Sequence, residues 1–213
     1  MTTVHDGWIE DAVARELPGL GLTWTDTDRP AESRSPAWLR DRLRGLADRY
    51  SGARAVTMRR EPVPAAYRAF FRHVGLDPDV DRPPVEAVVV ERLMHGGLRS
   101  RGRVEDALLV GALETGVPLW ALDVSRIDGP LGIRPARAGE RLGEGELAPD
   151  LPAGRLVVAD ARRPLAVLLG AVAEGDGPRP EARRLRVFAV RVAGVPRVHV
   201  EEALWASLEA LRA

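Results

Sequence analysis

Cysteine is absent from all 213 residues, which removes disulfides, thiolate nucleophiles and sulfur-ligated metal sites together. Lysine, asparagine and glutamine are absent too, so every one of the 31 cationic side chains is an arginine. A GC-rich genome accounts for all three gaps. Their physical consequence is that any anion site must use planar guanidinium or backbone N–H groups. Aromatic residues make up only 5%, so a core must be built from Leu, Val, Ala and Ile. There is no run of about 18 apolar residues and no charged-then-apolar leader, so neither a membrane span nor a secretory signal is expected. Formal charge sums to zero, which supplies no global pull toward nucleic acid. A cytoplasmic location and no cofactor are the expectation.

The 45% of apolar residues suffice for one domain with an N-terminal embellishment. Residues 1–60 are expected to form a helix–strand–helix part of the same globular unit, and residues 61–213 the main domain. Apolar spacing predicts an amphipathic helix over 8–16, stopped by Pro18 and Gly19. Leu20, Leu22 and Trp24 alternate as a half-buried strand, and 26–35 is polar loop. Ser35 and Pro36 open a helix to Tyr50 carrying Leu39, Leu43 and Leu46. A break at Glu61–Pro62 precedes a helix over 65–73 and a Pro-rich loop over 77–84. The apolar run over 85–93 reads as strand or helix, helix being favoured because the run continues until Gly96 and Gly97 end it. After a helix over 104–114 come short aliphatic runs at 131–134, 156–160, 165–169 and 187–192, with Gly, Pro and Asp turns between them. A last helix covers 200–211. Helices first and antiparallel-looking strands later predict α+β rather than an alternating fold.

Few residues offer chemistry. The helix over 104–114 is apolar almost all round, and Asp106 is its polar exception. That carboxylate either aims into a ligand cavity or sits in the first turn where the helix dipole favours it, paired with Arg101 or Arg103. Arg99, Arg101 and Arg103 recur at every second residue, a spacing that suits phosphate oxygens when extended and also suits a solvated loop. Arg162, Arg163, Arg183, Arg184 and Arg186 could extend such a patch only if folding gathers them. Asp128 and Gly129 read as a turn, and Asp123 as a cap on Ser125. His5, His73, His95 and His199 share no ligand spacing, which makes a metal site improbable. There is no Gly-x-Ser-x-Gly elbow, dinucleotide fingerprint or P-loop.

One ordered series of motifs resembles a known family. Gly97-Leu98-Arg99 leads to Glu105-Asp106, then Leu113-Glu114-Thr115-Gly116-Val117-Pro118-Leu119, then Leu122-Asp123. Arg134, Ala136 and Gly139-Glu140 follow, with a strand ending at Asp160 and an apolar run over 164–170. This order resembles the B3/B4 domain of the phenylalanyl-tRNA synthetase beta chain and of stand-alone proteins, over roughly 64–213. The resemblance implies a protein that binds tRNA at its aminoacyl acceptor end and could hydrolyse mischarged aminoacyl-tRNA in trans, as an ester hydrolase using a shaped pocket and a positioned water. It implies that Asp106, Glu114, Asp123, Arg134 and Glu140 line or brace the substrate pocket, while Arg99, Arg101 and Arg103 meet the RNA. No catalytic residue is named by it. Where the family usually has two Asn, this chain has Gly102 and Arg103. A further family Asn is Leu109 here, a Ser is Ala112, and a Glu that reads a tyrosine hydroxyl gives way to Val190-Arg191-Val192. Losing such neutral donors and acceptors weakens discrimination by a hydroxyl. The alternative is a non-catalytic module for a small amino-acid-like ligand or a protein partner.

Overall fold

The computed structural model describes residues 3–30, 33–50 and 52–212. The chain divides into two compact units: Met1–Arg29 with Trp120–Arg191, and Pro30–Leu119 with Val192–Ala213. The class is α+β, with helices and two four-stranded sheets. The unit boundaries follow Arg29, Leu119 and Arg191, and none lies near residue 60.

The first unit carries the strands. In chain order they are β1 (His5–Asp6), β2 (Trp8–Ile9), β3 (Gly21–Asp28), β4 (Leu119–Asp123, starting at the boundary), β5 (Gly132–Pro135), β6 (Leu156–Ala159), β7 (Pro164–Val167) and β8 (Arg184–Arg191). One sheet has the order β1-β3-β8-β4 and the other β2-β5-β6-β7. In the first, β3 and β8 run antiparallel in unbroken register from Gly21 opposite Arg191 to Asp28 opposite Arg184. Thr23, Thr25 and Thr27 are buried on one face of β3, as its alternation requires. In the second sheet β2 pairs with β5 in parallel, a direction the strand pattern did not announce.

The expected helix over 8–16 shortens to α1 (Asp11–Glu16), because Trp8 and Ile9 are strand. Trp8 lies opposite Gly132 and Ile9 opposite Ile133. Aromatic and β-branched residues fit a pleated surface, and helical spacing alone says nothing of a partner strand 120-odd residues away. Gly132 is the other half of that pairing: a Cβ there would come within 2.0 Å of the Trp8 indole. The indole Nε1–H donates to the Pro130 carbonyl at 3.1 Å. β4 runs to Asp123, and a single 3-10 turn at Val124–Arg126 follows before the bend at Asp128 and Gly129. β7 ends at Val167 rather than 169, because Leu169 adopts φ +55° and the Gly170 N–H turns back to the Val167 carbonyl at 2.9 Å. Ala136, Leu142, Leu151, Val157, Ala159 and Ala173 form an aliphatic core beside this sheet.

The second unit is helical: α2 (Ala37–Arg49), α3 (Gly52–Met58), α4 (Pro62–His73), α5 (Pro84–His95), α6 (Arg103–Thr115) and α7 (Arg197–Arg212). Pro62 and Pro84 each occupy a helix's first turn, where the missing N–H costs nothing, so both helices begin at prolines read as breaks or loop. Helix α3 has no counterpart in the apolar pattern. Helix α6 packs on α7 and α2. Gly111 makes that approach possible: a Cβ there would stand 2.7 Å from the Ala203 carbonyl oxygen. Arg68, 7% exposed, donates to Glu86 at 2.9 Å and to Asp79 at 2.7 Å, tying α4 to the start of α5. Among the described residues no helix is long and apolar enough to cross a membrane.

Candidate functional site

The helical unit presents its arginine loop, residues 99–103, between α5 and α6. Helix α5 stops at Gly96, whose φ of +69° is the left-handed conformation glycine adopts without strain. The loop then enters α6, and Asp106 lies in that helix's first turn with 1% of its surface exposed. Its carboxylate accepts from the Arg101 N–H at 3.0 Å and from the Ser100 and Ser35 hydroxyls, each at 2.5 Å. The Arg103 N–H donates to the Ser33 carbonyl at 2.8 Å. A single buried carboxylate therefore fastens three pieces of chain: the Ser33–Ser35 approach to α2, the loop, and the head of α6. Of the two sequence readings of Asp106, the first-turn position is the one seen, but its donors are hydroxyls and a backbone amide, not the Arg101 or Arg103 guanidinium.

The three arginines diverge. Arg99 is exposed. The Arg101 side chain is 70% exposed and reaches Glu91 at 3.1 Å. Arg103 is the first residue of α6 and donates to the Leu211 carbonyl at 3.0 Å, near the C-terminal end of α7, where a cation is favoured. Glu114, in the last turn of α6, holds Arg42 of α2 through two bonds of 2.9 Å.

The remaining expected pocket residues lie in the strand unit. Asp123 ends β4, and its Oδ1 accepts from the Ser125 N–H at 2.9 Å and the Ser125 hydroxyl at 2.7 Å; Oδ2 accepts from Arg179 at 3.0 Å. Burial raises its carboxyl, but the bonds from Ser125 and Arg179 outweigh this and leave it below its ordinary value. Arg134 on β5 forms a two-pronged pair with Glu140, both contacts at 2.7 Å, and Glu140 also accepts from the Arg137 N–H at 2.7 Å. The Arg134 guanidinium holds the Glu140 carboxyl below the usual range, against the pull of partial burial. Carboxylates so saturated with donors brace turns and serve poorly as proton acceptors.

Sequence reading missed the partners, not the carboxylates. Ser35 reads in sequence as a helix opener, and nothing in the sequence singles out Arg42 or Arg179. A serine at a helix start favours a local capping bond; here Pro36 is the N-cap of α2 with no side-chain cap, and the Ser35 hydroxyl goes to Asp106 instead.

The sequence model of the B3/4 domain matches residues 66–175, just over half of the chain. The chain belongs to the B3/4 domain family. All eight expected site residues fall inside the B3/4 match. The chain is 38% identical over 94 residues to the phenylalanine–tRNA ligase beta subunit of Chromobacterium violaceum, covering 44% of this chain and 12% of that subunit. It is 43% identical over 79 residues to the same subunit of Methylococcus capsulatus, covering 36% of this chain and 10% of the subunit. With that of Thiobacillus denitrificans it shares 35% identity over 119 residues, covering 54% and 14%. The chain thus spans only 10% to 14% of the length of these curated relatives.

Proposed function

We propose that this B3/4 chain binds tRNA at the acceptor end, and that the aminoacyl ester there is the bond it would hydrolyse in trans. The observation that carries the reading is the arginine loop: Arg99 and Arg101 point to solvent from a backbone pinned by the buried Asp106. Support comes from its position inside a segment shared with subunits of a tRNA ligase. Pinning lowers the entropy lost when the guanidinium groups meet phosphates. In this reading Asp123, Arg134, Glu140 and Glu114 keep the surrounding backbone in shape, and the attack is made by a water positioned in a shaped pocket, as the family resemblance implies.

The test has two parts. Binding of a deacylated tRNA is measured first and is expected to survive competition by free amino acid. Phenylalanine tRNA charged with tyrosine is then incubated with the protein and ester loss is followed. Acceleration over buffer supports hydrolysis. Binding without acceleration, across several mischarged pairs, leaves a tRNA-binding module. That second reading is favoured by one observation: Asp123, Glu140 and Glu114 already accept from guanidinium groups and are poorly placed to take a proton.

A further inference from the structure

In the strand unit a separate polar cleft of about 380 Å³ opens beside the turn after β4. Arg126, Arg162 and Arg163 line it together with Ser125 and three carboxylates, Asp128, Glu144 and Asp160. None of these belongs to the loop or pocket residues described above. Three guanidinium groups thus converge from two segments, 126 and 162–163, that the linear sequence keeps apart.

Two of the three are held rigidly. The Arg163 fork is taken from behind by Asp176, which is 1% exposed, with Nη2 at 2.7 Å from Oδ1. That leaves the Arg163 Nε edge facing the cleft. Arg126 is steadied by the same Asp176 at 3.4 Å. The turn that carries Arg162 and Arg163 is fixed through Asp160, whose carboxylate accepts the N–H groups of Arg162, Arg163 and Asp128 at 2.8, 2.9 and 2.8 Å. Asp160 and Asp176 are thereby occupied with structural donors. Arg162 itself is 77% exposed and only 3.8 Å from Asp128 at its nearest approach.

Two exposed carboxylates stand at the cleft, Asp128 beside Arg162 and Glu144 across Arg126 and Arg163. Glu144 places one oxygen 2.5 Å from Arg126 and the other 3.3 Å from Arg163 Nε. It sits between Gly143 and Gly145, both at φ +99°. Its side chain remains 59% exposed, so only these arginines retain it there. An oxyanion bridging two guanidinium groups is the contact a phosphate makes, with a third oxygen left for Arg162.

We propose that this cleft is a phosphate-binding site in which the Glu144 carboxylate stands in for a phosphate oxyanion and leaves when one arrives. The inference does not rest on the tRNA reading. A phosphate could come from free phosphate or from a nucleic-acid backbone, and the shared chemistry is the same. Glu144 also competes with the ligand from within the chain, so removing its charge tightens binding.

The test is titration of the whole chain, followed through its backbone amide resonances, with inorganic phosphate in one arm and a short single-stranded RNA in the other. Saturable shifts at Ser125, Arg126, Arg162 and Arg163 are expected in at least one arm. Response to phosphate alone identifies a free-phosphate site, and response to RNA identifies a backbone phosphate. Glu144→Gln is expected to tighten binding about tenfold, the effect of losing one charge-assisted contact. Arg162→Ala keeps the backbone bond to Asp160 and is expected to weaken binding about tenfold while leaving the thermal midpoint unchanged. Unaltered affinity in Glu144→Gln, or shifts confined to other residues, overturns the proposal. Loss of tRNA binding in Arg99→Ala with phosphate binding intact separates a failure of one reading from a failure of the other.

Discussion

Buried carboxylates in this chain, which has no lysine or side-chain amide, are held in two ways, and each unit uses both. In the strand unit Asp123 and Asp176 each take a guanidinium, from Arg179 and Arg163, while Asp160 takes three backbone N–H groups. In the helical unit Glu86 takes the Arg68 guanidinium, while Asp106 takes two hydroxyls and the Arg101 backbone amide. The difference has a consequence for function. Where arginine satisfies the carboxylate, its fork is spent on structure. Where serine does so, neighbouring arginines stay available, and Arg99 and Arg101 project to solvent from the very loop that Asp106 pins.

The contrast can be broken at its strongest point first. Asp176→Ala strands Arg163, whose side chain is only 18% exposed, and removes a support of Arg126. A loss of about 3–5 kcal/mol is expected, read from the urea midpoint. Asp106→Ala leaves two hydroxyls and an amide without their acceptor but no charge unpaired, and is expected to cost less, about 2–3 kcal/mol. Its distinguishing mark is weakened tRNA binding in the fraction that folds, since the loop is released. Equal costs for the two variants would remove the distinction between the two kinds of support.

Gly132→Ala comes next. The added methyl meets the Trp8 indole, so about 1–3 kcal/mol of destabilisation is expected, with a change in tryptophan fluorescence reporting the displaced ring. Acid should then expose the carboxylate chemistry. Folding holds Asp123 and Glu140 below their ordinary values. Each stabilises the fold fully above its unfolded value, near pH 4, and that contribution is lost as pH falls through the depressed folded value. Stability measured downward from pH 5 should therefore decline, and Glu140→Gln should flatten part of that decline. The smallest effect is expected from Arg42→Ala, which breaks a half-exposed pair with Glu114 and should cost about 0.5 kcal/mol or less.

How much of this was legible beforehand depended on whether the cause was local. Helices α2, α5, α6 and α7 carry their apolar stripes and terminal Gly or Pro in the sequence itself, and their spans agree with the expectation within about three residues. Trp8 and Ile9 were misread because their structure is decided by Gly132 and Ile133, far along the chain. Helix α3 was missed because its seven residues carry no clear stripe. At the site, the carboxylates could be singled out as odd polar residues on apolar elements, and the capping of Ser125 by Asp123 followed from short spacing. Ser35, 71 residues before Asp106, could not be joined to it by any periodicity. The same holds for Arg126 and Arg163, which share a cleft only through Asp176 and Glu144.

The most direct measurement is the salt dependence of tRNA affinity in the unaltered chain and in a variant carrying Arg99→Ala with Arg101→Ala. Both residues are exposed, so the fold should be unaffected. The account predicts a shallower slope in the variant, by about 1.4 in log affinity per log salt for two lost single-strand phosphate contacts. An identical slope in the two proteins would show that RNA, if it binds, meets some other surface, and would contradict the role given to the loop that Asp106 holds.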